Sequence, residues 1–236
     1  MSLDLVQTPT AVGANGTLFV GRIRVRPVGE LGLVYCEMAV ADLLRTTVSP
    51  EPDGGSVPYF AHLAGANWTI THAGTTFGAT IGLEDARLDM VHEDRATVDI
   101  GLAQLLPAGV RIAAAGHLMS RFRAEADHDL YAGVEWRLWR GTAWNGSGPG
   151  SFVLRSGIAA GRGVSADYQK GLGLELAGQF AADLQLTRQG GYATGGWSGS
   201  VGVQVRIGRY GVRYARDTGL SDLGSAYRVG LEAQVK

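Results

Sequence analysis

Apolar and polar residues alternate with a period of two along almost the whole of this chain, and that pattern restricts it to β architecture. In 17–26, Phe19, Gly21, Ile23 and Val25 fall on one face, with Leu18, Val20, Arg22, Arg24 and Arg26 on the other. In 59–72, Phe60, His62, Ala64, Ala66, Trp68 and Ile70 oppose Leu63, Gly65, Asn67, Thr69 and Thr71. The scheme repeats over 31–44, 75–85, 96–106 and 110–121, and then through 130–140, 152–158, 171–176, 183–187, 197–207, 210–214 and 227–235. In 31–44 the apolar face carries Val34, Cys36, Met38 and Val40, against Tyr35, Glu37 and Ala39. Helix competes only over 39–45 and 103–109, and neither stretch has a cap.

Composition narrows the class. No apolar run reaches the roughly 18 residues a membrane helix needs. A hydrophobic fraction of 45% excludes a disordered chain. The 36 glycines follow no three-residue period, which excludes collagen. With 21 basic and 22 acidic residues there is no electrostatic footprint for nucleic acid. The single cysteine, Cys36, excludes an intramolecular disulfide framework and thiolate zinc clusters. Residues 1–16 lack a basic stretch followed by an apolar one, so no signal peptide is expected within this sequence.

The connections are sorted by length. Short links at 27–30, 72–74, 107–109 and 208–209 alternate with longer polar ones at 45–58, 87–95, 123–129, 162–169, 188–196 and 216–225. Only 141–150 is longer than its place predicts. Short turns at one rim and long loops at the other are a habit of outer-membrane barrels and not of soluble sandwiches. From Thr17 onward about thirteen strands can be counted, whereas single-chain bacterial barrels use even numbers. Residues 3–12 must then supply another crossing, so 1–16 hold a first strand or a short N-terminal segment. The expectation is one domain over 1–236: a closed antiparallel transmembrane β-barrel of about fourteen strands (twelve to fourteen).

Hydrocarbon sets which face points where. Every backbone polar group in a bilayer must be paired within the protein, so an all-β span must close on itself. An arginine on the lipid face near the midplane costs about 2–4 kcal/mol. The charged faces therefore line the lumen: Arg22, Arg24, Arg111, Arg155, Arg206, Arg213 and Arg228, offset by Glu37, Glu84, Asp99, Glu135, Glu175, Asp183 and Glu232. Glycines 82, 101, 133, 157, 171, 173, 202 and 230 make room for them. Tyr59, Tyr131, Trp139, Trp197, Tyr210 and Tyr227 suit interfacial girdles. The competing architecture is a water-soluble antiparallel β-barrel acting as a binding module, in which the apolar face is a core.

The second half resembles a known class. The runs GVEWRLWRG (133–141), FVLRSGIAAGRG (152–163), GLGLEL (171–176) and ADLQLTR (182–188) resemble in order the C-terminal half of PorV/PorQ-type proteins, as does the closing stretch 210–235. These belong to the FadL-like class of outer-membrane barrels. In that class a late Leu-Gly-x-x-(Tyr/His)-Arg precedes the last strand, matched here by Leu223, Gly224, Tyr227 and Arg228. The resemblance implies a fourteen-stranded barrel in the bacterial outer membrane, serving as a channel, transporter or scaffold subunit.

No residue set points firmly to chemistry. A lipid-modifying barrel enzyme needs a histidine and a serine side by side, but His117 and Ser120 are three apart and fall on opposite faces of a strand. Glu125, Asp127, His128 and Asp129, and likewise His92, Glu93 and Asp94, read as solvated acidic loops without EF-hand spacing. The glycines around Arg162 and Leu172 precede no helix and make no phosphate loop. Cys36 reads as a small lipid-facing or packed residue. Arg22, Arg24 and Arg26 could draw anionic solutes or lipopolysaccharide phosphates, but pairing with Glu37 and nearby carboxylates is favoured. The expectation is a non-enzymatic protein without catalytic residues, cofactor or metal, whose partners are outer-membrane lipid, lipopolysaccharide and other proteins of a membrane complex.

Overall fold

A computed structural model describes residues 1–9, 14–40, 57, 59–121, 127–142, 148–161, 165–188, 190, 196–218 and 226–235. Fourteen strands follow one another: β1 Ser2–Pro9, β2 Ala14–Val25, β3 Gly29–Val40, β4 Tyr59–His72, β5 Thr75–Leu88, β6 Val91–Leu105 and β7 Val110–Arg121. They continue with β8 Asp127–Thr142, β9 Pro149–Gly161, β10 Asp167–Leu176, β11 Phe180–Arg188, β12 Trp197–Ile207, β13 Tyr210–Asp217 and β14 Ala226–Gln234. Each pairs antiparallel with its sequence neighbours, and β1 pairs with both β2 and β14 to close the barrel. Closure leaves no open sheet edge. The crossing expected within 3–12 is thus β1, and Pro9 sits at its last position, where its missing N–H does least harm.

One departure from the expected pattern lies on the long-loop side. Residues 87–95 look like a polar link, yet β5 runs to Leu88 and β6 starts at Val91. Only Asp89 and Met90 turn the chain, with Asp89 at a φ of 54°. Polar residues continue the ladder here because both faces of a sheet are wet at a barrel's rim. The other rim is formed by the links after β2, β4, β6, β8, β10 and β12, beside the two chain ends. Of the sequence-read loops, 45–56, 58, 122–126, 143–147, 162–164, 189, 191–195 and 219–225 lie outside the described residues, as do Leu223 and Gly224.

The ladder register divides the side chains into two sets. One set contains Leu31, Leu33, Ile81, Leu83, Ile100, Leu102, Val201, Val203, Ile207 and Val212, all exposed. The other contains most of the glycines, threonines and charges, and it lines the interior. Val153 is the single buried hydrophobic side chain among the described residues, and even it is not wholly inaccessible. The fold therefore has no hydrophobic core of its own. Its apolar surface is turned outward, as a single sheet closed on itself around a polar interior requires in lipid.

A bulge in β8 enforces the division. The segment Trp136-Arg137-Leu138-Trp139-Arg140 spaces two Trp-Arg pairs three residues apart, so strict alternation cannot turn both tryptophans out and both arginines in. The register shifts between Arg137 and Trp139, so that Arg137 faces Val153, Trp139 faces Phe152 and Arg140 faces Ser151. With Leu138 as the extra residue, Trp136 and Trp139 both point outward and both arginines inward. Trp139 lies over Gly141 and Gly150, where a Cβ on Gly150 would meet its ring at 2.6 Å.

Candidate functional site: the charged interior

Register carries one row of side chains around the wall. Asp4 faces Val20 and Glu232; Arg22 faces Gly32; Arg24 faces Glu30. The same face carries Glu84 opposite Arg95, Asp99 opposite His117, and Arg111 opposite Glu135, which in turn faces Arg155. It continues through Glu175, through Asp183 opposite Gly173 and Gly202, and through Arg206, Arg213 and Arg228.

Glu37 does not belong to it. Register puts Glu37 opposite Thr17 and His62, on the outer face, and turns Val34, Cys36 and Met38 inward. Both faces of β3 are apolar, so polarity alone misassigns them; the strand is fixed instead by keeping Arg22 of β2 inside. Glu37 is tolerated because it lies three residues from the end of β3 at the long-loop rim. There it accepts a hydrogen bond from the Tyr35 hydroxyl at 3.2 Å, and His62 Nε2 lies 3.8 Å away. Tyr59 and Tyr131 are likewise on the inner face by register, not in a girdle. Trp139, Trp197, Tyr210 and Tyr227 are outward. Trp68 and Phe77 join the girdle at the short-turn rim, 5.7 Å apart edge to face, and Trp68 Nε1 donates to the Val28 carbonyl at 2.8 Å.

The interior charges form two networks. Beside the chain ends, Glu232 is 8% exposed and accepts from Arg206 at 2.9 Å, Arg213 at 2.8 Å and Gln204 Nε2 at 3.0 Å. Arg213 also donates to Asp4 at 3.1 Å, which links β13 to β1 across β14. Further round, Arg155 donates from Nε to Glu135 at 2.9 Å and from Nη1 to Asp183 at 2.5 Å, tying β8, β9 and β11 together. Gly173 makes this possible, since a Cβ there would sit 3.1 Å from Arg155 Nη1 and 2.7 Å from Val153. Arg228 is held by both oxygens of Asp217, and His117 Nδ1 is hydrogen-bonded to Asp99. Arg22, Arg24, Arg111, Glu84 and Glu175 make no side-chain hydrogen bond or ion pair among the described residues.

The Arg155 network forms part of the wall of an interior cavity of about 900 Å³, lined from β4 round to β11 by residues that include Asn67, Thr80, Asp99, Arg111, Tyr131, Glu135, Arg155 and Asp183. Asp4 and Asp217 are interior partners that sequence reasoning missed. Asp4 alternates with Leu3 and Leu5, but its partner is 209 residues away and becomes visible only on closure.

In the β6–β7 ladder the backbone of Ser120 pairs opposite Ala96 and that of His117 opposite Asp99, an odd offset of three residues along β7. On the outer face, Asp85, His92 and Asp94 bring donor atoms within 4.8 Å of one another, the geometry of a cation site. All three are well exposed, and His92 Nε2 already contacts Asp85 at 2.5 Å.

No family model matches the chain, and no curated protein matches it in sequence. Solved structures do match in fold. The KdgM porin aligns over all of both chains with a TM-score of 0.51 at 8% identity. CdiB from Acinetobacter baumannii aligns over 98% of this chain and 59% of its own length, with a TM-score of 0.53 at 10% identity. At such identities the similarity is one of fold: a closed antiparallel barrel of outer-membrane type.

Proposed function

We propose that this chain is a non-enzymatic channel of the bacterial outer membrane that passes small hydrophilic solutes through a charge-lined, narrowed lumen. One observation carries the reading: the apolar side chains point outward in an exposed band, while the polar ones enclose a cavity. A contiguous apolar surface of this extent is untenable in water and natural in lipid. Fourteen strands lie between the packed lumens of eight and the open channels of sixteen or more. The Arg155 and Glu232 networks reach into that interior, so conduction is small and charge-sensitive. The strand count also supports the narrower PorV/PorQ-type resemblance of residues 133–235, within which a scaffold role is the version without conduction.

Planar-bilayer recording tests the channel directly. Discrete conductance steps from purified protein are expected, with ion preference shifting when interior charges are replaced. A silent bilayer from correctly folded protein would overturn the channel and leave the scaffold.

A further inference from the structure

The outer face carries its charges in one place only. Going round the barrel, every outward Asp, Glu, Lys or Arg among the described strand residues lies within three residues of a strand end at the long-loop rim: Glu37, Asp85, Arg87 and Asp94 on β3–β6, and Lys170, Arg188 and Arg216 on β10–β13. Among the described residues, β7 to β14 have no carboxylate on that face. The collar is therefore divided into an acidic, histidine-bearing sector and a purely basic one.

Within the basic sector, and among the described residues, the cations have no carboxylate on their own face to meet. The nearest carboxylates, Asp167 and Asp217, are on the inner face by register and are engaged there: Asp167 accepts from the Gly190 N–H at 2.8 Å, and Asp217 holds Arg228. Aromatic side chains flank the cations. Arg188 stands directly between Tyr168 and Trp197 in one cross-strand row, and the Arg216 guanidinium lies 5.5 Å above the Tyr227 ring. Aromatic belts mark the headgroup level of a bilayer, and cations at that level attract anionic headgroups. Lys170 is diagonal to Arg188 across the β10–β11 ladder, a separation of about 7–8 Å. Arg188 and Arg216 are two strands apart and four residues offset along β12, roughly 16 Å between their backbones, a span that their two long side chains can shorten. Cations spread over that distance match a headgroup bearing two phosphates better than one bearing a single phosphodiester, and the guanidinium fork suits phosphate oxygens.

We propose that Lys170, Arg188 and Arg216 form a docking site for a bisphosphorylated glycolipid in the leaflet at the long-loop rim. The inference rests on the membrane-spanning reading. Its test uses detergent-purified protein titrated with bisphosphoryl lipid A and followed by native mass spectrometry, with folding checked by heat-modifiable gel migration. Wild-type barrel retains the lipid. The K170Q/R188Q/R216Q variant binds it roughly a hundredfold more weakly, about fivefold per cation removed. R188K/R216K keeps most of the binding, which preserves the test should the glutamine variant misfold, and D85N/D94N binds as wild type. Undiminished binding by the glutamine variant, or equal binding of phosphatidylglycerol or dephosphorylated lipid A, overturns the site. A chain that stays monomeric in water without detergent fails at the earlier step, because the membrane reading itself is then wrong.

Discussion

Glu232 shows how the interior balances at the scale of one residue. It is nearly inaccessible and satisfies two guanidinium groups at once, while the Nε atoms of Arg206 and Arg213 are themselves buried without partners. Replacing Glu232 by glutamine leaves those cations half-paired in a confined space, where an unmade charged hydrogen bond costs about 2 kcal/mol. The expected outcome is a lower urea midpoint for unfolding from vesicles, with the same effect much smaller for Glu37→Gln on the outer rim. Arg155 tests function in place of stability. It neutralises Glu135 and Asp183 at the cavity wall, so Arg155→Gln should raise cation over anion permeability on the order of twofold, measured as a reversal potential. The shift should shrink as salt rises, because screening shortens the reach of the two carboxylates left behind.

At the scale of the strand, the bulge in β8 is the device that reconciles sequence with two-faced solvation. Deleting Leu138 restores plain alternation with both tryptophans outward and both arginines inward, and this variant should still fold to a heat-modifiable barrel. Deleting Val134 instead should not, since it forces one half of β8 to exchange faces and puts charge toward lipid at about 2–4 kcal/mol per arginine. Strands such as β12 are legible from sequence, because Val201, Val203 and Val205 alternate with Gly202, Gln204 and Arg206. β3 is not, because both its faces are apolar and its register is fixed by β2 and β4. The polar run 87–95 misleads for a related reason: at a rim, loop composition and strand composition are the same.

For the molecule as a whole, period two, sorted connections and parity suffice to reach a closed barrel of about fourteen strands, within a range of twelve to fourteen. Closure itself is what sequence leaves hidden. The Asp4–Arg213 link and the two-sided pairing of β1 depend on residues at opposite ends of the chain, and local pattern contains no trace of them. The division of the outer collar into acidic and basic sectors is hidden in the same way, since Lys170, Arg188 and Arg216 come onto one side of the collar only through the ladder register.

Spin-label accessibility along β6, in a Cys36→Ala background reconstituted into vesicles, tests the central claim most directly. Labels at Val98, Ile100 and Leu102 should be relaxed by oxygen dissolved in lipid, and labels at Asp99, Gly101 and Ala103 by a water-soluble nickel chelate, alternating residue by residue. Labels at the three apolar positions that neither reagent reaches would mean that those side chains are packed inside the protein, and the barrel would have to be turned inside out.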